Sequence, residues 1–407
     1  MKPLFVGAVA VLATLPLRSA VCLPEQTILY SFSGGADGGA PESTLLADAA
    51  GNLYGVASDG GLANNGVVFM LTPPAKHKTT WTETVLHSFG VSPDGALPFA
   101  GLVADGQGNL YGTTEDGGSA GLGAVYEVSP PAAGHTTWTE QIIHNFTGAP
   151  GDGAQPQSVL LIDKTGNLYG TTTHGGTING GNGTVFELSP PSGGQTGWTE
   201  TILYSFGHGP DGNVPLAGVI EDGSGNLYGT TQGGGTCNCG VVFELSPPAG
   251  QQGSWTENIL YDFQGGNKDG LGPVAGVIFD SLGNLYGTTA EGGSTSNAGT
   301  VFKLTPPSGG VGQWTETILY KFTNGGEPFG LVMNQATDLF GTTYLGDSLY
   351  ELKPPAVGKT TWKEKPLTEF RNGLPSGGVI LDTHGNLYGN YDCGGPDVYG
   401  CVYRFGK

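Results

Sequence analysis

Apolar residues along this chain fall in short alternating bursts, not in helical stripes. In "WTETILYSF" (Trp198–Phe206), Ile202, Tyr204 and Phe206 alternate with Leu203 and Ser205, the period of two expected of a β-strand. Three similar segments precede it: "SVLLID" (Ser158–Asp163), "NLYGTT" (Asn167–Thr172) and "TVFELS" (Thr184–Ser189). β-Branched and aromatic residues fill the segments, while Gly, Pro, Asn and Asp fill the gaps. No window carries helical periodicity of any length.

The group of four segments repeats. "GNLYG" begins at Gly51, Gly108, Gly166, Gly225, Gly283 and Gly385, and a degenerate "TDLFG" begins at Thr337. A sustained spacing near this length marks a propeller or a solenoid. Four strands per period, seven times over, predict an all-β fold: a seven-bladed β-propeller of four-stranded antiparallel blades. The blades are expected near 43–89, 99–146, 157–206, 216–263, 274–322, 329–370 and 376–406. "TILYSF" (Thr27–Phe32) is a segment of the fourth type and "CVYRF" (Cys401–Phe405) one of the third. The N-terminal strand is therefore expected to complete the last blade, closing the ring and removing exposed sheet edges. One domain over 25–407 follows.

The ordered motif "GNLYGTT", "SPP", "WTE" resembles the GloVer (Gloeo-Verruco) tandem repeats of exported bacterial proteins, over Thr27 to Phe405. That resemblance implies export and carries no established activity. The "D..GNLY" hairpin is more distantly similar to that of NHL and gluconolactonase-like propellers.

Composition refines this picture. Gly and Pro number 75 and 27, about a quarter of the chain, yet aromatics reach 10% and charged residues only 12%. Such a chain has apolar surface to bury and is not disordered. The formal net charge of −20 makes nucleic acid and anionic membrane surfaces poor partners. Lys2 followed by the apolar "LFVGAVAVLATLPL" (Leu4–Leu17) reads as an export signal within 1–22, too short for a membrane span. Arg18 sits badly three residues before a cut after Ala20, and "SAVC" ending at Cys22 is a poor lipoprotein box. A secreted or periplasmic location, and a monomer by default, are expected.

The repeated residues divide into frame and variable positions. Asp48, Asp105, Asp163, Asp222, Asp280 and Asp382 each precede "xxGN" and are expected to hold tight turns, not calcium. Trp81, Trp138, Trp198, Trp255, Trp314 and Trp362 open the outer strands, where packing is the expected role. His87 and His144 stand where Tyr204 does and read as packing residues rather than catalysts.

Two loops per blade should share one face of the disc. One joins the outer strand to the next inner strand and carries Asp37, Asp94, Asp152, Asp211 and Asp269, which could gather cations such as calcium near the channel. The other joins the second and third strands and varies among blades. It holds Asp59, Glu115, Asp116, His174, Gln232, Glu291, Tyr344, Tyr391 and Asp392, the candidate ligand-binding set. Cys393 and Cys401 are expected to form a disulfide across such a loop, and Cys237 and Cys239 could pair, bind a soft metal or stay thiols. No Ser-His-Asp or HExxH pattern occurs and no cofactor is required. The sequence therefore favours a secreted, non-catalytic propeller binding an extracellular glycan, peptide or protein. The alternatives are a metal-dependent, lactonase-like hydrolase or lyase with an acidic site at the channel mouth, and a purely structural envelope protein.

Overall fold

Each "NLYG" stretch forms the second strand of a four-stranded antiparallel sheet, and seven such sheets form a ring. The computed structural model describes residues 25–406 apart from 178–180, 195, 208–209, 252, 310–311, 324–325, 347, 371–372 and 395–398. The proposed export signal lies outside them. In the third blade the strands are Leu161–Ile162, Leu168–Thr172, Thr184–Ser189 and Thr199–Ser205, from the channel outwards. Among the described residues, helix is confined to one 3₁₀ turn at Ala249–Gln251.

The ring closes as expected. Glu25–Ser31 pairs antiparallel with Cys401–Gly406 as the outer strand of the last blade. Phe32 then packs edge-on against Phe69 of the first blade, centroids 5.0 Å apart. The same contact recurs around the disc, as in Phe206 on Phe243 and Phe263 on Phe302. The core thus lies between blades, in seven apolar layers each drawn from two neighbours. All six Trp side chains lie part-buried against these layers.

Two departures from simple alternation have physical reasons. Every ladder between third and outer strands contains a β-bulge; in the third blade Val185 pairs Tyr204 but Phe186 pairs Ile202, so Leu203 is left over. The bulge turns the extra residue inward, and Leu203, Leu260 and Leu86 are buried. The inner strand is also shorter than "SVLLID" suggests, with two ladder residues instead of six. Before the ladder the inner segments crowd together around the channel. A Cβ on Gly218 would sit 2.2 Å from the Val159 carbonyl oxygen, so the neighbouring backbones touch there instead of pairing within their own blades.

The "xxGN" turns are structural. Asp105 Oδ1 accepts the N–H groups of Gln107 and Asn109, and Oδ2 accepts Asn109 Nδ2 at 2.7 Å and Tyr111 OH at 3.2 Å. Four protein donors saturate the carboxylate. In the degenerate sixth copy the pair is exchanged: Asn334 Oδ1 accepts the Asp338 N–H, while its Nδ2 donates to Asp338 Oδ2.

Candidate functional site

The two loop sets do share one face. Short bridges join them in every blade, such as Gly39 with Asp59, Gly153–Ala154 with Gly175–His174, and Pro375 with Tyr391. The residue directly after the Pro of each outer-to-inner loop then reaches the channel mouth. These seven are Glu42, Phe99, Gln157, Leu216, Val274, Phe329 and Ser376, joined by Glu115 and Tyr344 around a cavity of about 440 Å³.

The mouth is two-sided. Leu216, Val274 and Phe329 come from the consecutive fourth, fifth and sixth blades, with Tyr344 edge-on to Phe329 at 6.1 Å. Phe99, Glu115 and Gln157 come from the second and third blades, and the arc between them and Phe329 belongs to the seventh and first blades. There Glu42, Asp59 and Asp392 line a side cavity of about 230 Å³ with Ser376 and Tyr399. The surrounding walls push the Glu42 carboxyl above its ordinary range, and the charges of Asp59 and Asp392 push it further, although its side chain stays open to water. A cation would relieve that repulsion. Below the mouth the segments leading into the inner strands of all seven blades line a mostly apolar channel.

The variable-loop candidates separate accordingly. Asp59, Glu115, Tyr344 and Asp392 reach the mouth or its side cavity. His174, Gln232 and Glu291 are exposed on the same face outside it, Glu291 accepting from Asn297 Nδ2 at 2.6 Å. Asp116 pairs through its backbone with Ala96. Tyr391 is withdrawn from the surface: it is buried against Phe370 and Tyr403, because it ends a second strand and points into the inter-blade layer. Cys393 and Cys401 are joined, Cα atoms 5.6 Å apart, as are Cys237 and Cys239 at 5.3 Å.

The five loop aspartates face away from the channel. Each caps its own loop in a slot between the outer strands of two blades. Asp152 Oδ2 accepts from Thr147 N and Oγ1 at 2.7 and 2.8 Å, and Asp211 Oδ2 accepts the Gly207 N–H at 2.6 Å. The slot is completed by the Tyr or His of the preceding outer strand and the "WTE" glutamate of the next. The sets are Tyr30–Asp37–Glu83, His87–Asp94–Glu140, His144–Asp152–Glu200, Tyr204–Asp211–Glu257 and Tyr261–Asp269–Glu316. His87 and His144 do pack on Phe89 and Phe146, as expected, but they also face two acids each. Burial pushes Glu83, Glu140, Glu200 and Glu316 up to about 7. The slot aspartate adds to the rise, while His87 and His144 oppose it in their own slots. Burial works against the charged forms of Asp37, Asp94 and Asp152 as well. Hydrogen bonds from Ser33 to Asp37 and from His87 to Asp94, and at Asp152 the nearby His144 imidazole together with the two Thr147 donors, outweigh it and hold these acids below their ordinary value.

The Gloeobacter/Verrucomicrobia repeat model matches over residues 23–181, 78–267 and 159–402, together nearly the whole described chain. The chain belongs to this family. No curated protein matches the sequence. Among solved structures, the Gloeobacter/Verrucomicrobia repeat protein is similar to a virginiamycin B lyase from Staphylococcus aureus (12% identity, TM-score 0.56), covering 94% of this chain and 99% of that one. It is also similar to a streptogramin B lyase (12%, 0.55, covering 94% and 97%) and to a provisional 6-phosphogluconolactonase from Bacteroides uniformis (12%, 0.51, covering 81% and 87%). At these identities the likeness is one of fold.

Two groups of residues escape a reading of this repeat by sequence. The post-Pro position varies from Glu to Phe to Ser and lies in a frame that looks like plain loop. Its signal is that one variable residue follows each invariant Pro within this chain. The "WTE" glutamate looks like an exposed strand residue, and only the neighbouring blade shows that its Oε1 is sealed from water.

Proposed function

We propose that this repeat protein is an exported, non-catalytic binding module whose ligand sits over the channel mouth. The ligand class is an amphipathic cation, such as a peptide bearing a Lys, Arg or free amine beside an aromatic or aliphatic side chain. The observation that carries this reading is the division of the mouth. Leu216, Val274, Phe329 and Tyr344 offer an apolar arc, and Glu42 at the same mouth is joined by Asp59 and Asp392 of the adjoining side cavity as a group of three acids. Apolar contact supplies affinity and the acids supply orientation and attraction. The large excess of acids over bases in the chain favours the same charge class.

The alternative, a metal-dependent lyase or lactonase, draws on the likeness to lyase propellers. It needs at least three protein ligands converging at the mouth. Among the described residues, groups of three His, Cys, Asp or Glu close enough for this occur at His87–Asp94–Glu140 and His144–Asp152–Glu200. Their His and Glu members lie on outer strands, some three inter-strand spacings, or about 14 Å, from the inner strand, with the aspartates in the adjoining loops. The mouth therefore favours binding over metal chemistry.

A peptide-array screen tests the reading. Short peptides pairing Phe or Leu with Lys should be retained by the full chain, and the same peptides with Glu for Lys should not. Equal retention of both sets, or retention unchanged in a Glu42→Gln/Asp392→Asn variant, would refute it.

A further inference from the structure

Exchanging Tyr for His changes what an inter-blade slot can do. In the tyrosine slots the phenol donates to the aspartate: Tyr30 to Asp37 and Tyr261 to Asp269 at 3.1 Å, Tyr204 to Asp211 at 3.2 Å. Tyr204 also reaches Glu257 at 3.0 Å. In the slot between the second and third blades the imidazole stops short of both acids. His144 Nε2 lies 3.6 Å from Asp152 Oδ1 and 3.6 Å from Glu200 Oε1. That is too far for a hydrogen bond to either. Yet His144 Nε2 is sealed from solvent and has no hydrogen-bond partner; Glu200 Oε1 is in the same state, as are the matching atoms of Glu83, Glu140, Glu257 and Glu316, so the orphaned imidazole nitrogen is what sets this slot apart. Buried polar atoms left this way are costly and call for an occupant.

We propose that His144, Asp152 and Glu200 form a binding site for a divalent transition-metal ion of the zinc class, linking the second blade to the third. Donor atoms around a tetrahedral zinc ion at ~2.1 Å are spaced about 3.4 Å apart. Both His144 separations match this to within a few tenths of an ångström, and all three donor atoms lie within 4.8 Å of one another. One imidazole and two carboxylates suit zinc, cobalt or nickel; calcium wants six or more oxygens and takes no imidazole. The ligands are held from behind, as metal ligands need to be. Asp152 is fixed by Thr147 and by the Gly153 N–H at 2.6 Å, and the His144 ring rests edge-on against Phe146 at 4.7 Å. Side-chain exposures of 18% for His144 and 16% for Glu200 place the slot close to the surface, although the donor atoms themselves are covered. The His87–Asp94–Glu140 slot differs in one respect. There the imidazole already meets Asp94 Oδ2 at 3.3 Å, so its nitrogen has a partner without a metal.

The site is independent of the channel mouth, so the two readings fail separately. The test is calorimetric titration of zinc chloride into tag-free, chelator-treated full chain, with metal content measured afterwards. His144→Tyr is the informative variant, because Tyr204 and Tyr261 show the same slot accommodating Tyr. Wild type should bind zinc at His144, and His144→Tyr should weaken that binding by about 100-fold or more, since even indirect support of a ligand is worth 10–100-fold. Glu200→Gln should do the same, and His87→Tyr should leave it unchanged. Should His144→Tyr fail to fold, Glu200→Gln alone decides. Absence of zinc binding by wild type, or unchanged affinity in a folded His144→Tyr or Glu200→Gln variant, would overturn the proposal.

Discussion

Replacing Glu316 with Gln should stabilise the protein in mildly alkaline solution and do almost nothing in mild acid. Glu316 is part-buried in the slot it shares with Asp269, its Oε1 without a partner. Loss of hydration, then the charge of Asp269, raises its carboxyl from 4.5 to about 7, with Lys321 pulling the other way. The folded state therefore keeps a proton that the unfolded chain releases between those values. Such a group costs nothing below about pH 4.5, and its cost grows as pH rises through the window until it is complete above the folded value. At 1.36 kcal/mol per pH unit the ceiling is about 3.4 kcal/mol. Water reaching the slot screens part of this, so about 1–2 kcal/mol is expected. Gln keeps the shape and carries no charge at any pH. Calorimetric melts of wild type and Glu316→Gln at pH 5 and pH 8 should differ by under about 1 °C at pH 5 and by about 2–4 °C in favour of the variant at pH 8. A variant less stable than wild type at pH 8, or a difference independent of pH, would refute the account of these slots.

Other consequences follow from the same architecture. Phe263→Ala empties a fully buried ring from the layer between the fourth and fifth blades and should cost about 3–5 kcal/mol in denaturant unfolding. Removing residues 25–32 strips the outer strand from the last blade and uncovers the edge of Cys401–Gly406, so light scattering should report self-association where the intact chain stays dispersed. Asp163→Ala leaves the Thr165 and Asn167 N–H groups without their acceptor and should cost about 1–3 kcal/mol, unaffected by added calcium. A calcium-dependent stability of the wild type that this substitution abolished would instead make the turn a metal loop.

The sequence carried the architecture because each repeat states it again. A single "WTETILYSF" is ambiguous at its Ile-Leu-Tyr run, but seven in phase are not, and the separation of "TILYSF" from "CVYRF" places the closing strand. What was illegible depends on neighbours far away in sequence. Whether Glu200 is a surface acid or a sealed one depends on His144, 56 positions earlier in the chain and on another blade. Tyr391 was counted with a variable loop, yet it stands where the second Thr of "GNLYGTT" stands in other blades, at the end of a second strand of the usual length, and is buried there. The aspartates of the "DGxxP" loops looked like cation ligands near the channel. Their own backbone donors, already within the same loop, turn them outwards. The mouth residues were passed over because they differ in type at every blade, and only their convergence on one cavity makes them a set.

The central claim is that the mouth binds an apolar, cationic ligand with its two arcs. Calorimetric titration of a Phe-Lys-containing peptide into wild type, Glu42→Gln/Asp392→Asn and Phe329→Ala tests it most directly. The claim predicts a roughly tenfold loss of affinity in each variant, about 1.4 kcal/mol, with only the acidic variant losing its salt dependence. Binding of equal strength in all three proteins would contradict it.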